Sequence, residues 1–192
     1  MKTTLFSLLC FLAVVTSSSA QEKKFSAYAI GFYNLENLFD TQHDEGKLDE
    51  DFLPNGSYKW DSIKYTNKLH NMAQALSEMA TTKLPKVGCA VIGVSEVENE
   101  HVLKDLCAQP ALAARGYRYA HIEGPDLRGI DCALLYNPAL FTIENTTLYP
   151  YVQHLKDNPN FITRGFLAVT GTLAGERMTF IVCHLPSRGN GP

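Results

Sequence analysis

The sequence lacks an excess of charge of either sign. Its 192 residues carry 17 basic and 20 acidic side chains, a formal net charge of −3, which excludes a strongly basic nucleic-acid wrapper. It lacks low-complexity tracts and any repeat of roughly 20–50 residues, which excludes a solenoid. Its five cysteines form no CxxC pair, so a zinc ribbon or dithiol redox motif has no support. No apolar run reaches the roughly 20 residues that span a bilayer. What is present is 45% hydrophobic residues against 19% charged, a balance that excludes disorder and fits a folded domain.

Met1-Lys2, an apolar run from Leu5 to Val15 and the small residues Thr16 to Ala20 have the pattern of a secretory signal peptide. Residues 1–20 are therefore expected to direct export, to the periplasm or outside the cell, with no transmembrane segment in the remainder. Cys10 belongs to that leader. Export permits disulfides among Cys89, Cys107, Cys132 and Cys183, but these lie in apolar strand-like or helical stretches and read as buried small hydrophobes.

Ala27–Tyr33 reads as a first strand. The acidic stretch from Asn34 to Asn55 follows as a solvated loop. An EF-hand centred on Gly46 fails there, because Thr41 and Phe52 occupy positions one and twelve, where carboxylates are required. Ile63, Leu69, Met72, Ala73, Leu76 and Met79 recur at helical spacing, predicting a helix over Asp61–Thr81 with Asp61 as its cap. Val87–Val94 reads as a fully buried strand and Glu100–Ala114 as a second helix capped by Asn99. Strands are expected over Tyr117–Ile122, Asp131–Tyr136, Phe141–Thr147, Gly165–Leu173 and Arg177–His184, the last two joined by a tight hairpin at Ala174-Gly175-Glu176. The order β-α-β-α followed by consecutive strands implies an α/β fold, with sheet inside and helices outside.

Polar groups at the ends of buried strands are rigidly held yet reachable by water. Asn34, Glu96, the group Asp126, Arg128 and Asp131, and His184 meet that description. A carboxylate, an amide and a histidine converging would suit phosphate-ester hydrolysis. Hard oxygen ligands such as Glu96 favour Mg²⁺ or Mn²⁺, histidine can donate to a phosphoryl group, and arginine matches phosphate with a planar fork. Each also has an ordinary structural reading. Asn34 fits a strand end, Glu96 a helix-entry carboxylate, Asp131 a strand cap or partner of Arg128, and His184 a core-edge histidine. Arg164 and Arg188 fit solvated surface charges. Pattern alone leaves the function open.

Five segments in order resemble the endonuclease/exonuclease/phosphatase superfamily, the deoxyribonuclease I-like phosphoesterases, in its exported bacterial branch. They are Phe32-Tyr-Asn-Leu-Glu-Asn-Leu-Phe-Asp40, Asp51-Phe-Leu-Pro-Asn-Gly56 with Trp60, Tyr65, Lys68 and Leu69, Ile92-Gly-Val-Ser-Glu-Val-Glu98, Pro125–Tyr136, and Val182-Cys-His-Leu-Pro-Ser-Arg188. The resemblance implies a four-layer α/β/β/α sandwich with its active site at one end of the paired sheets. It implies Glu96 as the metal-binding carboxylate for Mg²⁺ or Mn²⁺, Asn34 as an orienting group for metal or phosphate, and His184 as the catalytic histidine. Arg128, Asp131, Ser187 and Arg188 would shape the substrate site. The expected substrate is a phosphate ester (nucleic acid, nucleotide or phospholipid head group), with no protein partner implied.

The sequence also departs from that pattern. Leu127 stands where a second basic residue is common and Leu185 where an aromatic is common. The family's Asp-x-Asn motif and late Asp-His pair, which follow the His184 segment, do not appear. Residues 21–192 are thus expected to be the N-terminal part of one such domain, a sandwich incomplete at its C-terminus. By that expectation the chain alone is poorly folded and nearly inactive. The competing expectation is an exported binding or surface protein that keeps the fold without the chemistry.

Overall fold

The computed structural model describes residues 26–153 and 161–185. The leader, Ser187 and Arg188 lie outside them. Two sheets pack face to face, and helices cover the outer face of the first. In chain order the elements are β1 (Ala29–Leu38), α1 (Ser62–Glu78), β2 (Cys89–Val97), α2 (Glu100–Ala108), α3 (Pro110–Ala113), β3 (Arg118–His121), β4 (Asp131–Tyr136), β5 (Phe141–Gln153), β6 (Phe161–Leu173) and β7 (Glu176–Val182). The first sheet runs β1-β2-β4-β3, and the second β5-β6-β7. β1 and β2 are parallel, and the other pairings are antiparallel. The described elements supply three of the four expected layers.

The core divides along the two faces of the first sheet. Ile92, Val94 and Val97 of β2 pack with Leu35, Leu38, Leu69, Leu76, Leu103 and Leu106 against the helices. On the other face Val91, Ala120, Cys132 and Leu134 meet Phe141, Leu167, Val169 and Val182 of the second sheet. β2 is covered on both faces and correspondingly reads as an apolar run. Gly93 permits this contact, since a Cβ there would lie 3.1 Å from the Val182 side chain.

Asp61 caps α1 as expected, accepting from Lys64 N at 2.9 Å. The buried stripe differs from expectation. Tyr65, Leu69, Ala73 and Leu76 face inward while Ile63 is exposed. The Tyr65 hydroxyl anchors this phase by donating to Asp105 of α2 at 2.8 Å. The expected second helix is broken in two, because Gln109 takes an extended ψ of 137° before Pro110, the conformation proline imposes on its predecessor. β5 continues well past Thr147. Pro150 sits at a register shift on this edge strand, where a missing N–H is tolerated. The β6–β7 hairpin turns on Ala174 and Gly175, both at positive φ, as a two-residue primed turn requires.

The acidic stretch after β1 is not a solvated loop. Asp40 and Asp49 are buried together with Glu98. Asp40 N donates to Glu98 Oε2 at 2.6 Å, and Asp44 N to Asp49 Oδ2 at 2.8 Å. Trp60 Nε1 donates to Phe39 O at 2.9 Å, and Phe39 stacks on Phe52 with ring centroids 4.2 Å apart. These contacts fold the segment back over the sheet end and carry Leu48 to the site described below. Cys89 and Cys132 are buried and Cys107 is partly so, whereas Cys183 is exposed; all four are free thiols. No helix among the described residues is long and apolar enough to cross a membrane.

Candidate active site

The C-terminal ends of β1 and β2 both break their ladder. The β1–β2 register shifts between Asn34 and Leu38, and the β2–β4 register shifts between Ser95 and Val97. Glu36, Asn37 and Glu96 take left-handed backbone at φ 53°, 59° and 61°, a conformation unfavourable for non-glycine residues and typical of constrained sites. These bulges turn Asn34 and Glu96 toward each other. Asn34 Nδ2 donates to Glu96 Oε1 at 3.3 Å, and Asn37 N donates to Glu96 Oε2 at 2.8 Å. His184, just past β7, brings Nε2 to 3.0 Å from Glu96 Oε1. The second sheet thus delivers the histidine to the carboxylate held by the first.

Arg128 joins this group through Asn37, with Nη2 donating to Asn37 Oδ1 at 3.1 Å. Its backbone N–H donates to Asp126 Oδ1 at 2.9 Å. Asp126 is buried and accepts from the Thr163 hydroxyl at 2.6 Å. Arg164 Nε lies 3.3 Å from the same carboxylate oxygen, yet off the alignment of a hydrogen bond, so its N–H has no partner. Arg164 is therefore a buried cation rather than the solvated charge expected for it. A cleft of about 560 Å³ opens among Glu96, His184, Arg128, Arg164, Leu127 and Leu185.

Lys68 reaches into the back of the bulge, donating to the carbonyls of Glu36 and Asn37 and lying 5.6 Å from the Trp60 ring centre. Burial lowers its pKa, against the opposing pull of Glu36 and Glu96. Behind Glu96, burial pushes Glu98 up to about 8, reinforced by the negative charges of Asp40, Asp44 and Asp49.

Asp131 stands apart from the cleft. It pairs with His121 Nε2 at 3.1 Å rather than with Arg128, and its two oxygens accept from Gly124 N at 3.1 and 3.0 Å. Glu123 completes a cluster whose donor atoms lie within 4.8 Å of one another. Its charges are already matched, since Lys47 Nζ lies 3.1 Å from Glu123 and Gly124 N–H occupies Asp131. Glu96 is the better cation ligand: a carboxylate lining the cleft, with Asn34 Nδ2 donating to its Oε1 while the Asn34 amide oxygen accepts from Glu36 N. A single cleft carboxylate suits a hard divalent ion that keeps several waters.

Asn34, Glu96, Arg128 and His184 thus converge, Asp131 lies behind them, and Ser187 and Arg188 fall outside the described residues. Asn37, Lys68 and Arg164 were not singled out as site residues by their sequence positions. A signal for Asn37 exists: Leu35 and Leu38, three apart in a strand, break the alternation, and asparagine tolerates the left-handed backbone a bulge needs.

The model of the Endonuclease/Exonuclease/phosphatase family matches residues 29–192. Among solved structures, an endonuclease/exonuclease/phosphatase family protein from Bacteroides thetaiotaomicron aligns with a TM-score of 0.50 and 18% identity, covering 84% of this chain and 51% of that one. A mannosyl-6-phosphatase from the same organism aligns with a TM-score of 0.48 and 17% identity, covering 81% and 50%. The chain spans about half the length of these structures. None of the curated proteins matches it.

Proposed function

The chain belongs to the Endonuclease/Exonuclease/phosphatase family, and from that premise we propose that it is an exported phosphoesterase dependent on Mg²⁺ or Mn²⁺, a phosphodiesterase or nuclease acting by hydrolysis. The observation that carries this reading is the convergence on Glu96 of His184 at 3.0 Å and Asn34 at 3.3 Å, with Arg128 tied in through Asn37.

Glu96 would hold the ion, and Asn34, whose Nδ2 donates to Glu96 Oε1, would orient the groups around it. The bound ion would lower the pKa of an attacking water and draw charge from the phosphoryl oxygens. Asn37 N–H fixes the far carboxylate oxygen, so Glu96 is oriented before any ion arrives. His184 serves the phosphoryl group as a hydrogen-bond or proton donor, the task its partly exposed position at the cleft allows. Arg128 faces the cleft with a planar fork and stabilises charge on non-bridging oxygens. Ser187 and Arg188 would take part in substrate binding, and Asp131 would act by shaping the loop that carries Arg128.

Two readouts test the reading. Mn²⁺ binding, followed by electron paramagnetic resonance, should be lost in Glu96→Ala. Mg²⁺-dependent cleavage of plasmid DNA, a nucleotide monoester or sphingomyelin should fall at least 100-fold in the same variant, and His184→Ala should lower kcat far more than it changes KM. Full Mn²⁺ affinity in Glu96→Ala would remove the metal assignment. In a chain completed through the Asp-x-Asn and Asp-His segments, absence of hydrolysis of all three substrates would favour a binding protein over an enzyme.

A further inference from the structure

Among the described residues, the rim of the cleft is apolar where a nucleic-acid site would be cationic. Leu48, Leu127, Leu185 and Phe161 line the same cavity as Glu96, His184, Arg128 and Arg164. Three of them are strongly exposed: Leu48 at 64%, Leu127 at 54% and Leu185 at 60%. Single exposed leucines are ordinary, but several converging on one opening form a patch of the kind that binds ligands. The patch is also built. Leu48 N donates to Leu127 O at 2.7 Å, locking two of the three loops together. Lys47 Nζ donates to the carbonyls of Gly124 and Asp126 at 3.2 Å each, so this neighbouring lysine is directed into the loop rather than the opening.

Among the described residues, Arg128 and His184 face the cleft beside the carboxylate of Glu96, and buried Arg164, its charge matched by Asp126, holds an N–H without a hydrogen-bond partner. That leaves cationic groups for no more than one phosphate. A nucleic-acid strand needs cations at successive phosphates and aromatic platforms for its bases. Among the described lining residues there is one aromatic and no cation beyond these arginines.

We infer that the cleft selects a single phosphate ester bearing an apolar group next to phosphorus, with Leu127, Leu48 and Leu185 as the specificity-determining residues. This rests on the proposed phosphoesterase reading for the reaction, though not for the binding preference. The phosphoryl group sits between Arg128, Arg164 and His184, and the apolar substituent lies on the leucines. An oligonucleotide places its next phosphate on that same apolar surface and loses the hydration of a charge there.

The test is binding to the whole chain in EDTA, at physiological salt, followed by NMR titration, with inorganic phosphate, hexyl phosphate and a ten-residue oligothymidylate as probes. Hexyl phosphate is expected to bind at least ~10-fold more tightly than inorganic phosphate, as burial of two or three methylenes gives. It should also bind more tightly than the oligonucleotide. Leu127→Lys should remove most of the hexyl advantage and raise oligonucleotide affinity, while Leu185→Ser should remove part of the first without the second. Both positions are exposed, so folding is preserved. Equal affinity for the two phosphates, a preference for the oligonucleotide, no phosphate binding at all, or a hexyl advantage unchanged in both variants would each overturn the inference. Loss of Mg²⁺-dependent hydrolysis with the hexyl advantage intact would instead count against the catalytic reading alone.

Discussion

Replacing His121 and Asp131 singly and together measures how firmly the loop carrying Arg128 is held. Both side chains are about one-twentieth exposed and His121 Nε2 lies 3.1 Å from Asp131 Oδ2, which removes them from the regime of surface pairs worth ~0–1 kcal/mol. Breaking a buried pair from one side typically costs about 3–5 kcal/mol. His121→Leu leaves Asp131 with the Gly124 N–H, so its loss should fall near ~3 kcal/mol. Asp131→Leu strands both His121 and the Gly124 amide and should cost ~4–5 kcal/mol. The double replacement creates no unpaired buried charge, and its loss should be at least ~2 kcal/mol smaller than the sum, the non-additivity expected of groups in contact. Urea denaturation followed by the fluorescence of Trp60, the one tryptophan, reads all three. Hydrogen exchange should show faster opening of amides over residues 122–130 in the single variants. Additive losses within ~0.5 kcal/mol, or unchanged exchange in that loop, would refute the argument that the pair pins it.

Three further outcomes follow from the buried groups. Glu98 has its pKa raised by burial to about 8, so the folded chain holds a proton there that the unfolded chain releases near 4.5. The stability that Glu98 contributes should therefore be fully present below that lower value and be lost as pH rises through 8, a contribution of up to ~5 kcal/mol; Glu98→Gln should flatten that part of the slope in denaturation curves taken across that range. Cys183 is exposed, whereas burial pushes the Cys107 and Cys132 thiols to about 12. Iodoacetamide at pH 8 should therefore label Cys183 first among these three, as peptide mass spectrometry would show. Phe141 is fully buried, its ring edge-on to Tyr136 and Phe180. Phe141→Ala should cost ~3–5 kcal/mol in the same urea assay.

The sequence was most legible where local chemistry and burial agree. The pattern predicts β4 over Asp131–Tyr136 and the strand occupies that span, because the run is apolar and bounded by turn residues. The Asp61 and Asn99 caps needed only a short polar side chain before a helical stripe, and both accept the expected amides. The misreadings arise where distant groups overrule local pattern. Ile63 has the right spacing for the α1 stripe, but Tyr65 wins the inward phase through Asp105. Asp40 and Asp49 look solvated by composition, yet backbone amides and one another's neighbours enclose them. At the site, strand-end position and chemistry drew attention to Asn34, Glu96, Arg128 and His184. Arg164 is legible only as a charge, since its burial depends on Asp126, 38 positions earlier in the chain and on a loop outside its strand.

The left-handed backbone at Glu36, Asn37 and Glu96 bears on how this protein could be changed. At such positions glycine relieves strain, so a stability-guided design would favour Asn37→Gly and Glu36→Gly. Asn37, however, supplies the backbone N–H that fixes Glu96 and the side-chain Oδ1 that accepts from Arg128. A glycine there retains the amide, drops the side-chain contact and widens the range of angles from which the carboxylate meets its ligand. Thermal screening would score that variant as an improvement while the ligand-binding geometry loosened. The three residues mark the part of the molecule where melting temperature and fitness for chemistry point in opposite directions.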